Sequence, residues 1–188
     1  MRLRKFRPFA ILTSAVALIG LGGVLLLGSS AEAATPHQTS AQPASSVNDF
    51  VTFYGYVDNS PPGRAIAHPC IHSQAGGVGT FSNPVTFAEP NDLNGPWCQK
   101  IYVPFLKKYF IHEDQCNPCG GVNHNHVDLW MGGDASSTHN PEKHALLHCE
   151  DKWTQHNTVI LNPPSNKPVD TTPLFTPPTT CHGGTGDS

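Results

Sequence analysis

The chain has 188 residues, with 14 Asp and Glu against 11 Lys and Arg, for a formal charge of −3. Arg2, Arg4, Lys5 and Arg7 all fall at the start, so the remainder is more acidic still and keeps only Lys107-Lys108 as a cationic cluster. Phosphate binding needs clustered cations, so no nucleic acid partner is expected, and a neutral or positively charged polymer suits the balance better.

The first residues read as an export signal: basic positions, an apolar run from Phe9 to Leu27, and Ala31-Glu32-Ala33 as an A-x-A site, with cleavage after Ala33. An uncleaved anchor is the alternative, since the run is long enough to span a bilayer. With residues 1–33 removed, a secreted protein with no stable membrane insertion is expected. Residues 34–48 are Ser, Ala, Pro and Gln and read as a linker. The Pro, Thr and Gly of residues 162–188 read as a tail that buries too little to order itself. One domain over residues 49–161 is left.

Within that domain Val51 to Val57 is β-branched and aromatic and ends in the turn cluster Asp58-Asn59-Ser60-Pro61-Pro62-Gly63. Ala65 to Ala67 is a second short strand candidate. Pro69 to Thr80 is a Gly-containing loop; its Gly76-Gly77-Val78-Gly79 lacks the residues of a phosphate loop. Val85 to Ala88, Lys100 to Val103, Tyr109 to Asp114, His126 to Met131 and Thr158 to Leu161 are further strands. Asn140 caps one short helix, with Pro141 at its first turn and Leu146 and Leu147 toward a core. Many short strands separated by Gly and Pro turns predict a mainly β protein, closed into a small barrel so that no edge is left bare.

All six cysteines lie beyond the leader, and an even number in an exported chain predicts disulfides. Six cysteines allow fifteen pairings. Cys70 with Cys98, and Cys116 or Cys119 with Cys149, are the expected ones, with Cys181 left in the tail.

The richest segment runs from Tyr109 to Gly132. Strand alternation places His112 and Asp114 on one face and His126, Asp128 and Trp130 on one face of the next strand, so two carboxyl groups and an aromatic ring would meet in one groove. His124, His126, Asp128 and His112 also carry metal-ligating groups, but their spacing matches no standard zinc motif, and neither a metal nor a cofactor is expected.

Tyr102-Val103-Pro104, His112-Glu113-Asp114 and Asn125-His126-Val127-Asp128-Leu129-Trp130 together resemble the 3D domain of bacterial cell-wall proteins, which includes lytic transglycosylases. The resemblance implies a six-stranded double-psi β-barrel. Asn123 to Gly133 and Thr52-Phe53-Tyr54-Gly55 are also similar to signatures of family 45 endoglucanases and expansins. Asp114 and Asp128 match two of the three aspartates of the 3D pattern; where the first is expected the chain offers Glu89 or Asp92. The resemblance implies Asp128 as general acid, with Asp114 assisting and Asp58 as candidate base. Trp130, Tyr54, His126 and His112 are the expected substrate contacts. The function implied is action on, or binding to, a cell-wall polysaccharide by a monomer, by glycosidic cleavage of the lytic-transglycosylase type. The alternatives are a non-catalytic expansin-like module and a barwin-like defence protein or protease inhibitor.

Overall fold

The computed structural model describes residues 42–90, 96–117, 119 and 125–183. The expected leader, Asp92 and His124 lie outside them. Six strands close into a barrel: β1 (Ser45–Gly55), β2 (Val85–Glu89), β3 (Lys100–Val103), β4 (Lys108–Gln115), β5 (His126–Gly132) and β6 (Gln155–Leu161), in the order β1-β5-β2-β4-β3-β6. The β1·β5 and β2·β4 pairs are parallel and the others antiparallel. Closure leaves none of these strands with a bare edge. Phe87, Ile101, Val103, Phe110, Val127 and Leu129 are fully buried and fill the interior, as the β-branched and aromatic runs predict.

Apart from shifts of one to three residues at strand ends, the strands agree with the sequence reading except at two places, and the helix differs at a third. Residues 45–48, read as linker, extend β1 and pair with β6 from Ser45↔Leu161 to Asn48↔Thr158. A backbone ladder needs no apolar side chains there, so composition alone does not mark it. Ala65 to Ala67 forms no strand, because the Ala67 N–H is taken by the Asp114 side chain, at 3.1 Å. The helix α1 (Glu142–Trp153) starts after Pro141 rather than Asn140 and runs past His148, burying Leu146, Cys149, Glu150 and Trp153 along one stripe.

The described part of the expected tail, residues 162–183, also differs. Residues 162–183 lie against the barrel. The Tyr109 hydroxyl donates to the Pro164 carbonyl at 2.6 Å and accepts the Lys167 N–H at 2.8 Å, while Tyr102 donates to the Pro168 carbonyl at 2.8 Å and Lys108 Nζ to the Asp170 carbonyl. Leu174 and Phe175 are buried, and β7 (Phe175–Thr176) pairs with β8 (Thr180–Cys181). Prolines restrict the free chain and so lower the entropy lost on docking. Composition counted the scarcity of apolar residues correctly but could not see carbonyls aimed at tyrosine hydroxyls.

Three disulfides are present: Cys70–Cys98, Cys116–Cys119 and Cys149–Cys181. The first is the pairing expected. The expected bond from Cys116 or Cys119 to Cys149 is not formed, because Cys149 sits on the buried stripe of α1 against the Leu174 carbonyl, where the returning segment presents Cys181.

Cys149–Cys181 closes a separation of 32 residues. By loop entropy its removal is expected to cost about 3 to 4 kcal/mol. Urea unfolding of a Cys149→Ser/Cys181→Ser double variant measures this; a midpoint equal to that of the unaltered protein contradicts the role assigned to the docked segment.

Candidate functional site

A row of residues crosses four adjacent strands. Asp114 on β4 pairs with Ala88 on β2, Ala88 pairs with Asp128 on β5, and Asp128 pairs with Thr52 on β1. Paired residues on neighbouring strands point to the same side, and strands lie about 4.8 Å apart, so two aspartates are held two strand spacings apart with only a methyl group between them. That gap is the floor of an open cleft of about 560 Å³. Tyr54, Asp58, Ala88, Asp114, Cys116 and Asp128 all line it.

The long loop between β1 and β2 forms one wall of the cleft. It contributes Asn59, Ser60, Ala65, Ile66 and Ala67. Glu113 anchors this loop: fully buried, its Oε1 accepts the backbone N–H groups of Cys70, Ile71 and His72 at 3.2, 2.8 and 3.0 Å, and its Oε2 meets His72 Nδ1 at 2.7 Å and the Thr86 hydroxyl at 3.1 Å. Although burial opposes it, the sum of these hydrogen bonds and the His72 imidazole holds the Glu113 carboxyl below its ordinary range. Replacing Glu113 by Ala leaves those donors unpaired, and a loss of about 3 kcal/mol or more is expected. Thermal unfolding together with faster amide exchange at Ile71 and His72 checks it, and unchanged exchange contradicts it.

Each acidic side chain in the cleft has a distinct environment. Asp114 accepts from the Tyr54 hydroxyl at 2.8 Å, from Ala67 N–H at 3.1 Å and from Gln115 N–H at 2.9 Å. Asp58 accepts the Gly55 N–H at 2.7 Å, which pins the turn after β1. Burial raises the Asp58 carboxyl above its ordinary value, against that backbone bond and a bond from Glu150. Asp128 accepts from the Thr52 hydroxyl at 2.7 Å, and Thr52 Oγ1 lies 2.6 Å from His126 Nε2. A hydroxyl has one proton; given to Asp128, it leaves Thr52 to accept from His126, which fixes the Nε2–H tautomer. Burial pushes the Asp128 carboxyl from 3.8 up to about 7, opposed by the Thr52 bond and assisted by the charges of Asp58 and Asp114.

Glu150 is the residue that sequence reasoning missed. It lies on the extension of α1 and reaches the carboxyl cluster because position 55 is glycine: a Cβ there would sit 2.7 Å from Glu150 Oε1. Burial first, then the charge of Asp58, a hydrogen bond to it and the charge of Asp128 raise the Glu150 carboxyl from 4.5 to about 10. An acidic residue on the apolar stripe of the helix is the one signal that would have found it.

Of the four residues expected to contact substrate, Tyr54 lines the cleft, but with its hydroxyl; its ring packs edge-on to Trp130 at 5.2 Å. Trp130 is buried and faces a different cavity, of about 340 Å³, together with Arg64, Leu174 and Phe175. His112 is buried between the rings of Phe87, at 5.3 Å, and Trp97, at 4.2 Å. The expectation that His112 shares a face with Asp114 fails because the β2·β4 register shifts between Phe87 and Ala88: Phe87 opposes His112 and Ala88 opposes Asp114, making Glu113 an extra residue. His126 is buried as well and touches the site only through Thr52.

The protonated state of this cluster sets a pH dependence of stability. The raised carboxyls of Asp128 and Glu150, and of Asp49, which burial lifts to about 6, bind protons in the folded chain that the unfolded chain has released. Their stabilisation is complete below about pH 4 and is lost as pH rises through 6 and 7 toward 10. The melting temperature is therefore expected to fall between about pH 5 and pH 8, with Glu150→Gln flattening the decline. Calorimetry over that range checks it; a rising melting temperature contradicts the assignment.

Among known proteins, the family described as the DDB_G0273701 N-terminal domain matches residues 46–182. An uncharacterized protein of Dictyostelium discoideum is 38% identical over 144 residues, covering 72% of this chain. The match spans 60% of that relative's own length. No solved structure matches. Among the described residues no helix is long and apolar enough to cross a membrane.

Proposed function

The chain belongs to the DDB_G0273701 N-terminal domain family, and from the carboxyl-lined cleft we propose that it cleaves a cell-wall polysaccharide, with Asp128 as general acid. The observation that carries the reading is an acid poised to keep its proton near neutral pH in a cleft open to solvent, between two further carboxyl groups. Asp128 gives its proton to the bridging oxygen of a glycosidic bond as that bond breaks. A hydroxyl of the same polymer then attacks the sugar carbon internally and returns a proton to Asp128, which is transglycosylation of the lytic type. Only one acid is needed. Asp58 and Asp114 raise the affinity of Asp128 for its proton and stabilise positive charge on the sugar as the bond breaks.

The motif likeness to the 3D domain and to the double-psi barrel supports the same substrate class, and a closed barrel of six strands with parallel and antiparallel pairs is compatible with it. The acidic balance favours a neutral or cationic glycan. An export-type leader and three disulfides fit action outside the cell.

One observation favours a second reading, a non-catalytic module of the expansin kind. Asp114 already accepts three hydrogen bonds and Asp58 is tied to the Gly55 N–H, so neither is an unencumbered base.

Incubating the protein without its leader, and its Asp128→Asn form, with peptidoglycan, chitin and cellulose separates the two. New anhydro or reducing ends by mass spectrometry from the unaltered protein, reduced about a hundredfold or more in the variant, are expected. Retained polymer pull-down without product supports the binding module, and absence of both overturns the glycan reading.

A further inference from the structure

The cleft holds a second chemistry that glycan cleavage does not use. Cys116 and Cys119 form a disulfide with a separation of 3 residues, whereas the other two disulfides span 28 and 32. The short spacing is that of dithiol–disulfide exchange, while the long-range pairs tie segments together. Cys116 is half-buried and lines the cleft; Cys119 is buried behind it. The Cys116 N–H donates to the Glu89 carbonyl at 3.0 Å, which fixes the cysteine at the end of β4. One carboxyl oxygen of Asp128 and both sulfur atoms lie within 4.8 Å of one another.

We propose that Cys116–Cys119 is an exchange-active disulfide, acting on dithiol or disulfide groups of cysteine-containing peptides, with Asp128 as the proton donor and acceptor for Cys119. In the oxidising direction a substrate thiolate attacks Cys116 Sγ, forming a mixed disulfide and breaking the bond to Cys119. The electron pair leaves on Cys119 Sγ, which takes the Asp128 proton. The second substrate thiolate attacks the substrate sulfur of the mixed disulfide, and Cys116 leaves as thiolate and takes a proton from solvent through the open cleft. The substrate is oxidised to a disulfide and the protein pair is reduced to a dithiol; a small-molecule disulfide such as oxidised glutathione reverses the change.

Exposure decides the order of attack. A thiol approaching through the cleft meets Cys116 first, and Cys119 becomes the leaving and resolving sulfur. The proton affinity of Asp128 near neutral pH suits transfer to and from a thiol; burial raises it first, the charges of Asp58 and Asp114 add to it and the Thr52 bond opposes it, while Tyr54, Glu150 and, through Thr52, His126 are the other titratable groups around the carboxyl.

The oxidised full chain is treated with dithiothreitol at pH 7, quenched with acid, alkylated with N-ethylmaleimide and mapped by mass spectrometry. Cys116 and Cys119 are expected to open at least about tenfold faster than Cys149 and Cys181. Asp128→Asn is expected to slow the first pair about tenfold or more while leaving the opening rate of Cys70–Cys98 unchanged as a control on folding, with Asp128→Glu restoring part of the loss. Cys119→Ser, which frees Cys116, is expected to form a mixed disulfide with oxidised glutathione about tenfold faster than Cys116→Ser, which frees Cys119. Equal opening of the Cys116 and Cys149 pairs, equal opening in Asp128→Asn and the unaltered protein, or equal adduct formation by the two serine variants overturns the proposal. None of these readouts involves a glycan, so they stand or fall apart from polysaccharide cleavage.

Discussion

Carboxyl groups that share a partly dry space cannot all be ionised, and one end of this barrel gathers four of them. Asp58 comes from the turn after β1, Asp114 from the end of β4, Asp128 from the middle of β5 and Glu150 from α1. Their backbones are fixed by ladders, a helix and a pinned turn, so they do not relieve the repulsion by moving apart. Protons relieve it instead: Glu150 keeps one through the physiological range and Asp128 keeps one to near neutrality. This cluster of acids thereby holds a proton donor near neutral pH, Asp128. Two small residues make this possible, Gly55 by letting Glu150 approach and Ala88 by leaving open the space between Asp114 and Asp128.

The cleft also depends on its loop. A connection as long as the one between β1 and β2 would usually wander. Here Glu113, the Cys70–Cys98 bond and the Arg64 guanidinium on the Ala75 carbonyl hold it as a wall. The polar groups of the wall therefore face the acids in a fixed arrangement, and one of them, the Ala67 N–H, belongs to Asp114 itself. The Cys116–Cys119 pair lies at the same cleft, so both proposed chemistries would draw on one acid, Asp128.

Most of the fold was legible in the sequence, and the reasons are specific. Val85, Ile101, Phe110 and Leu129 lie in short β-branched or aromatic runs bounded by turn residues, which only a strand suits. The row of acids was legible in part: Asp114 and Asp128 carry a motif resemblance, and Asp58 sits in a turn cluster beside a strand end. Alternation misled at His112, because a register shift inserts Glu113 and turns the next side chain to the other side. Trp130 and Tyr54 look alike as aromatic residues beside the site, yet burial of both rings leaves only the Tyr54 hydroxyl in the cleft. Glu150 was missed for a different reason: its place on the apolar stripe of α1 marks it as a buried acid, but its partner is Asp58, and no local pattern links a helix face to a distant turn. The docking of residues 162–183 was hidden likewise, since backbone carbonyls carry no sequence signal.

The protonation of Asp128 ties fold to chemistry, and it is open to direct measurement. Selective carbon-13 labelling of aspartate side chains, with the resonance assigned by its disappearance in Asp128→Asn, gives the carboxyl titration curve of that residue alone. A midpoint near 7 is what the buried, three-aspartate arrangement requires. A midpoint near the ordinary aspartate value of 3.8 would show the cleft to be wet and its acids independent, and both the general-acid role and the proton exchange with Cys119 would then lose their basis.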